Sequence, residues 1–420
     1  MPDAAIIRDH LFSLTTLGIK YDLNRIVAAA DACGNPQNAY QSVHVAGTNG
    51  KGSTSTFCAS ALARCSFRVG LFMSPHLVRF EERFLIDGKP IDESLWVEVY
   101  GDLRPVIDRL QLTFFEASTL IAFELFKRRR VDWAVFETGL GGRLDATNII
   151  VPRVSIVTRL AMDHREYLGE TLASVASEKL GIVKPGVPLV MAKPKEQEIT
   201  LFVERLCRGK ETLYRLVNQE EATNVVTCDR GSSFDWEGRR YRINLVGDFQ
   251  VINALLALNG LKAAGLSDYA AIAAGLADAR LPGRFQILRV RNRTVVFDVG
   301  HNPNAAEAFC RAFKNRFGKA SLCLVLGIMK DKDIHAMMRH YDGIAKRIIC
   351  CAPATTRATP AGDLVRHLSG DFPGECQSTE TVASAVDIAL NGTEEIVCIA
   401  GSFFTVGEGM AHLGIEPYVR

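Results

Sequence analysis

The chain has 420 residues, too many for one ordinary core, so two domains are the natural division. With 48% hydrophobic and 23% charged residues it has the makeup of a globular protein, and a formal net charge of +2 gives no strong pull toward nucleic acid or an anionic membrane. The longest purely apolar runs, such as 254–258, are far too short to span a bilayer, and the N-terminus, with Asp3, Arg8 and Asp9, has no continuous apolar core behind a basic start, so no signal peptide is expected. The eleven cysteines are an odd number with no CxxC pair, which fits a reducing compartment, so a cytoplasmic location is expected.

In chain order, short β-branched runs alternate with helical stretches, which predicts an α/β protein built on parallel sheets. Residues 42–46 predict a strand and 53–64 the helix after it. Further buried strands are expected at 69–73, 133–137, 154–158 and 188–192. Between 213 and 245, short alternating runs and a turn at Glu237-Gly238 predict a hairpin-rich insertion. Helical spacing returns over 249–264 and 269–279. Leu281-Pro282-Gly283-Arg284 breaks it, and strands follow at 294–298, 321–327, 347–351 and 395–400, separated by helices, as in a smaller doubly wound domain. The boundary is set at Gly283, giving domains over 1–283 and 284–420. Vicinal Cys350 and Cys351 lie in one of these strands and are expected as buried thiols, not a metal site.

The strongest local signal is His44-Val45-Ala46-Gly47-Thr48-Asn49-Gly50-Lys51-Gly52-Ser53, where a buried strand enters a glycine turn that carries a lysine and opens a helix. Glycines let backbone N–H groups approach phosphate oxygens, the helix N-terminus adds positive potential, and the lysine neutralises the outer phosphates. Two features depart from the general P-loop: only Thr48 and Asn49 separate Gly47 from Gly50, and Ser53 lies two places after Lys51. Glu137 ends its strand on the side where open sheets bind ligands; it reads equally as a magnesium ligand or a solvated strand-end carboxylate. Lys179 is odd on its own terms. With Leu172, Val175, Ala176 and Val183 it follows the inward spacing of a helix starting near Thr171, where an unpaired ammonium is costly.

The loop Gly-Thr-Asn-Gly-Lys-Gly-Ser resembles the P-loop of the Mur ligase superfamily, in its folylpolyglutamate synthase and dihydrofolate synthase branch. The resemblance runs in order through Ser74-Pro75-His76-Leu77, Glu82-Arg83, Phe115-Glu116, the stretch from Glu137 to Asn148 and Met162-Asp163-His164. It continues through Glu178-Lys179-Leu180-Gly181-Ile182, Leu281 to Gln286, Asp298 to Pro303 and Gly401-Ser402-Phe403. It implies an N-terminal P-loop ATPase domain and a smaller Rossmann-like C-terminal domain. It also implies that Gly47, Thr48, Asn49, Gly50, Lys51, Gly52 and Ser53 hold ATP phosphates, and that Asn253, Arg284 and Asp298 contact adenine, phosphates and ribose. Ser74, Glu137 and His164 are implied as magnesium ligands, and Lys179 as a carbamoylated lysine near the metal. The acceptor pocket is expected from Arg83, Thr113, Phe114, Phe115 and Glu116, with Leu144, Asp145 and Ala146; His301 is assigned to substrate or transition-state contact.

The function so implied is ATP-dependent addition of L-glutamate to dihydropteroate and to the γ-carboxylate of a reduced folate through an acyl phosphate. Lys51, Lys179 and His301 are the catalytic set. ATP and Mg2+, expected as a pair of ions, are the cofactors; whether a monovalent cation helps bind glutamate stays open. The partners are small molecules, not nucleic acid or membrane, and a monomer is expected. A folate-only synthase and a peptidoglycan-type Mur ligase are the alternatives, the second disfavoured because the P-loop starts by Gly47 and leaves no room for an additional N-terminal substrate domain. A non-catalytic nucleotide binder would not need Lys51, Glu137, His164 and Lys179 together. A dehydrogenase is disfavoured because Leu144 stands where the last glycine of a dinucleotide fingerprint should be.

Overall fold

The strand that leads into the glycine loop, β1 (Gln41–Ala46), is buried at five of six positions, and a strand covered on both faces belongs in the middle of a sheet. It does lie there. The computed structural model describes residues 4–18, 20, 22–228, 231–341, 343–368 and 372–419. Its first sheet adds β2 (Val69–Phe72), β3 (Phe84–Ile86), β4 (Lys89–Pro90), β5 (Trp133–Glu137), β6 (Val154–Val157), β7 (Leu189–Ala192) and β8 (Tyr214–Val217), in the order β4-β3-β2-β5-β1-β6-β7-β8. The six strands from β2 to β8 are parallel to one another, whereas β3 and β4 form an antiparallel edge hairpin, so the sheet is mixed where the sequence pattern predicted a parallel one. Strand β8, expected within the hairpin insertion, pairs with β7 instead.

Helix α1 (Ala4–Ser13), α2 (Asn24–Ala32), α3 (Lys51–Arg64), α4 (Glu93–Leu110) and α5 (Phe114–Arg128) precede β5; α6 (Arg165–Leu168), α7 (Leu172–Leu180) and α8 (Gln197–Gly209) follow β6 and β7; α9 (Phe249–Ala263) and α10 (Tyr269–Asp278) close the unit. The sequence reading assigned no element to α4, whose interior holds Pro105, a residue that normally argues against a helix. β1 leads through α3 to β2 on one side, while β5 leads to β6 on the other. The chain thus reverses its winding at the carboxyl ends of β1 and β5, the place where open sheets bind ligands.

By internal contacts the chain divides into two units: 1–75 with 81–222 and 252–279, and 76–80 with 223–251 and 280–420. The insertion forms its own antiparallel sheet, β9 (Thr223–Cys228), β10 (Gly231–Trp236) and β11 (Arg239–Ile243). Its last turn falls on Glu237-Gly238, both at positive φ. The sequence reading kept this segment in the first domain, yet it groups with the second unit. What draws it there is burial: Val246 joins the core of Phe285, Phe309 and Leu324, and Phe249 packs against it.

The second unit is built on β12 (Gln286–Val290), β13 (Arg293–Asp298), β14 (Leu322–Leu326), β15 (Ala345–Cys350), β16 (Glu375–Ser378) and β17 (Ile396–Ala400), ordered β12-β13-β17-β14-β15-β16 with only β12 antiparallel. Alternation along β15 sends Cys350 into the core with Leu324 and Cys351 into the opposite core with Val325; both thiols are buried. Segment 76–80 belongs here as well. Leu77 packs into that opposite core, and its carbonyl oxygen would lie 2.0 Å from a Cβ on Gly407, so only glycine lets the helix Phe403–His412 approach. No helix among the described residues is long and apolar enough to cross a membrane.

Candidate active site

The glycine loop is pinned on the side of β6. Thr48 and Asn49 donate their N–H groups to the Arg159 carbonyl at 3.0 and 3.3 Å, and the Thr48 hydroxyl donates to the Ala161 carbonyl at 2.9 Å. Gly47 sits at φ 145, and a Cβ there would lie 1.8 Å from Thr158 Oγ1. Gly50, at φ 93, caps α3 with no side-chain hydrogen bond, and its Cβ would strike the Asn253 amide oxygen at 2.2 Å. No side chain can stand at either position, and the first N–H groups of α3 remain directed out of the helix end. Lys51 opens α3 and turns back so that its Nζ is 3.4 Å from the Thr48 carbonyl. Gly52 and Ser53 are buried in the first turn. Asn253, on α9, lies against the glycine loop, and its backbone carbonyl accepts the Thr54 hydroxyl at 3.4 Å.

Lys179 lies on the buried stripe of α7 with Val175 and Ala176, and its Nζ donates to the Gly47 carbonyl at 2.8 Å. Burial first, then the charge of Lys51, lower its ammonium to about 7, while Asp163 and Asp145 oppose the shift. Two lysines that sequence separates by 128 positions therefore meet at one loop.

Glu137 is buried at the end of β5, level with Val45 of β1. Arg83 is buried near it: burial lowers its guanidinium to about 10 against the raising effect of Glu82 and Glu137. Ser74 is half-buried at a cis Ser74–Pro75 bond. His164 stands at φ 50, with Nε2 3.9 Å from Asp163 Oδ2. Among the described residues no three His, Cys, Asp or Glu side chains gather as a metal group. The expected set of Ser74, Glu137 and His164 draws only two from those types; the hydroxyl and the carboxylate are the oxygen donors that magnesium takes beside water and phosphate oxygens, and the imidazole is the less usual member. Buried hydroxyls of Thr138 and Thr158, at the ends of β5 and β6, find no hydrogen-bond partner among the described residues, as they would beside a polar ligand.

The expected acceptor residues are drawn together at the start of α5. Thr113 and Glu116 form a capping box: Glu116 N–H donates to Thr113 Oγ1 at 3.3 Å, and Thr113 N–H to Glu116 Oε2 at 2.8 Å. Phe114 stacks on Phe12 and lies beneath the Arg83 guanidinium; Phe115 sits 5.9 Å from the Phe72 ring and fills the space a Cβ on Gly139 would need. Asp145 is occupied with its own loop: Oδ2 accepts Gly139 and Leu140 N–H, and Oδ1 accepts the N–H and hydroxyl of Thr147. Burial raises its carboxyl and those hydrogen bonds oppose the rise. Leu144 beside it is half-buried and Ala146 buried, and from Thr147 the network runs on to Nε2 of the buried His44 at 2.8 Å.

Sequence reasoning missed Arg25. Its guanidinium is 3.1 Å from Glu116 Oε1 and 2.9 Å from Asp22 Oδ2, and the partner that matters lies 91 positions away, so no local pattern could reveal it. Removing Arg25 leaves a buried carboxylate at the acceptor residues without its cation. Arg25→Ala is expected to cost about 3 kcal/mol of stability, measured by denaturant unfolding, with more of it recovered in Arg25→Ala/Glu116→Gln.

In the second unit, Asp298 at the end of β13 accepts Gly300 N–H at 2.8 Å and Phe285 N–H at 2.9 Å, which ties it to the turn carrying Arg284. Burial raises its carboxyl, and Arg284 is the first group to oppose this. The Arg284 guanidinium lies 5.1 Å over the Phe403 ring, and the His301 ring is 5.9 Å from the same phenyl. His301 Nδ1 is 3.0 Å from the Val299 carbonyl, so Nδ1 is the nitrogen that donates there. Phe403 is thus the platform on which both expected groups rest, a role visible only once the fold joins β17 to β13.

Two family models match the chain: Mur ligase middle domain over residues 45–260, and Mur ligase, glutamate ligase domain over 283–403. It is 35% identical over 404 residues to the dihydrofolate synthase/folylpolyglutamate synthase of Escherichia coli, covering 96% of this chain and 93% of that one. Among solved structures it is similar to a Mycobacterium tuberculosis folylpolyglutamate synthase complexed with ADP and AMPPCP, with TM-score 0.91, 28% identity and coverage of 99% and 100%. It is also similar to a bifunctional folylpolyglutamate synthase/dihydrofolate synthase from Yersinia pestis complexed with AMPPNP and Mn, with TM-score 0.84, 29% identity and coverage of 99% and 100%.

Proposed function

Because the chain belongs to the dihydrofolate synthase/folylpolyglutamate synthase family of the Mur ligase superfamily, we propose that it adds L-glutamate both to dihydropteroate and to the γ-carboxylate of a reduced folate. It is an ATP-dependent ligase. What supports the reading most is the meeting of Lys51 and the buried Lys179 on a glycine loop that no side chain could share. The names of the Escherichia coli and Yersinia pestis relatives, which carry both activities, favour two acceptors over one.

A free carboxylate is a poor acyl donor. Its oxygen attacks the terminal phosphorus of ATP, ADP leaves, and a mixed carboxylic–phosphoric anhydride remains. Lys51 and the first N–H groups of α3 would hold the phosphates and spread the charge that develops on them, with Arg284 as a second cation. The Arg284 guanidinium rests over the Phe403 ring, and its planar fork would suit phosphate oxygens. Ser74, Glu137 and His164 would hold magnesium, which when bound screens the phosphate charge. The glutamate amine then attacks the acyl carbon, the tetrahedral intermediate expels phosphate, and the amine proton passes to a base. His301 would make that contact. Asp298 would meet the ribose and Asn253 the nucleotide from the loop side.

The pocket for the acceptor would be the Arg83, Thr113, Phe114, Phe115 and Glu116 group, with Leu144, Asp145 and Ala146 as the facing loop. In this pocket Asp145 shapes the loop by its four hydrogen bonds. Purified protein given dihydropteroate, ATP, Mg2+ and glutamate is expected to form dihydrofolate, and given a reduced folate to extend it, both read by mass analysis. Extension of the folate with no dihydrofolate formed would reduce the activity to that of a folylpolyglutamate synthase. Turnover of neither would overturn the proposal.

A further inference from the structure

Helix α1 carries no motif, yet it delivers a ring to the acceptor residues. Ile7 and Leu11, one turn apart, are fully buried and fix its inward stripe. Phe12, next to Leu11, stands at the margin of that stripe and is only half-buried. Its ring stacks on Phe114, with centroids 5.4 Å apart and planes 28° apart. Phe114 is itself half-buried and carries the buried Arg83 guanidinium 5.0 Å from its centroid. Both residues are half-buried, so the offset pair presents more aromatic surface than either ring alone.

The helix is fastened in place by several contacts to α4. Arg8 pairs with Glu93, His10 Nδ1 lies 2.6 Å from the Tyr100 hydroxyl, and His10 Nε2 lies 3.6 Å from Asp108 Oδ1. The stacked pair is therefore held from both ends, by α1 on one side and by the capping box of α5 on the other.

We propose that Phe12 is an acceptor-binding residue, and that the Phe12–Phe114 pair recognises the flat fused heteroaromatic ring of a pteroate-type acid. This rests on the function proposed above and deepens it by assigning the ring-recognition surface. A ring that only filled a gap could be replaced by any apolar side chain of similar bulk. A ring that stacks on a heteroaromatic ligand cannot, because a branched aliphatic chain offers no face.

The test measures the Kd for dihydropteroate by calorimetry in Phe12→Ala, Phe12→Leu and Phe12→Tyr, with thermal melting alongside. Phe12→Ala and Phe12→Leu are expected to weaken binding by about tenfold, and Phe12→Tyr by no more than about twofold. KM for ATP and for glutamate should hold throughout, and an unchanged melting temperature shows that each variant keeps its fold. Phe12→Trp supplies a direct readout: its added indole emission is expected to change on adding dihydropteroate and to ignore ATP and L-glutamate. Wild-type affinity in Phe12→Leu, or indole emission indifferent to saturating dihydropteroate, overturns the assignment. If wild-type protein turns over neither dihydropteroate nor a reduced folate, the functional proposal falls and takes this one with it. An active enzyme with a neutral Phe12→Leu overturns Phe12 alone.

Discussion

Replacing Lys179 by alanine is expected to lower ligation by about 100-fold or more, and a short-chain carboxylic acid is expected to restore part of it. The lysine is buried on α7, donates to the Gly47 carbonyl at 2.8 Å and has its ammonium lowered to about 7 by burial and by Lys51. A lysine of ordinary pKa is almost wholly protonated at neutral pH and does not attack carbon dioxide. With the ammonium lowered, much more of the amine is neutral near pH 7, so nitrogen can bond to the carbon of CO2, lose its proton to solvent and become a carbamate. That converts a cation into an oxygen ligand beside the phosphate loop. Labelling with 13C-bicarbonate should give one carbamate resonance that Lys179→Ala lacks. Full activity of that variant, or no such resonance in active wild type, would sink the proposal. Stability offers a second reading, in carbonate-free buffer. The unfolded chain holds this proton up to about pH 10.5 and the folded chain only to about 7. The unfolded state therefore binds more protons in that window, and wild-type stability rises with pH across it. The advantage of Lys179→Met over wild type should be largest below pH 7 and shrink toward pH 10.

Lys51→Ala is expected to lose about 3 kcal/mol of transition-state stabilisation, roughly a hundredfold or more in turnover, with its fold retained. Lys51 begins α3 at a helix end that has no side-chain cap, so its ammonium and the first N–H groups would act together on a bound anion. Arginine is not a substitute, because its planar fork cannot occupy the place of a compact point charge folded back over Thr48. The variant should also disturb its neighbour. With the Lys51 charge gone, one of the forces lowering the Lys179 ammonium disappears, and carbamate formation should move to higher pH. The 13C signal of Lys179 as a function of pH, compared between wild type and Lys51→Ala, measures this. Near-normal turnover of a folded Lys51→Ala at saturating ATP would remove the phosphate role.

Much of this was legible in the residues because the information was local. The strand, glycine turn and lysine of 41–51 lie within one span of chain, and β5 ends at the predicted Glu137. The inward face of α7 could be read from spacing alone, which is why Lys179 stood out before its partner on Gly47 was visible. What escaped was non-local or hidden. Arg25 meets Glu116 across 91 positions, Phe403 carries Arg284 only through the pairing of β17 with β13, and Pro105 masks α4. The placement of 223–251 escaped for the same reason, since the core that holds Val246 is completed by residues far downstream.

The interleaving of the two units has a consequence for the order in which the protein can be assembled during synthesis. The last segment of the first unit ends at Ala279, so that unit can complete itself while the ribosome is still working. The second cannot: Leu77 waits for Gly407, 330 residues later in the chain (77 to 407). At about 5–20 residues per second, that is on the order of half a minute with an apolar segment exposed and its destination unmade. A nascent chain arrested once Ala279 has cleared the ribosome should accordingly resist protease across 81–222 while remaining cleavable at 76–80. The two units would then mature in sequence, and the short segment beside Ser74 would be among the last to find its place.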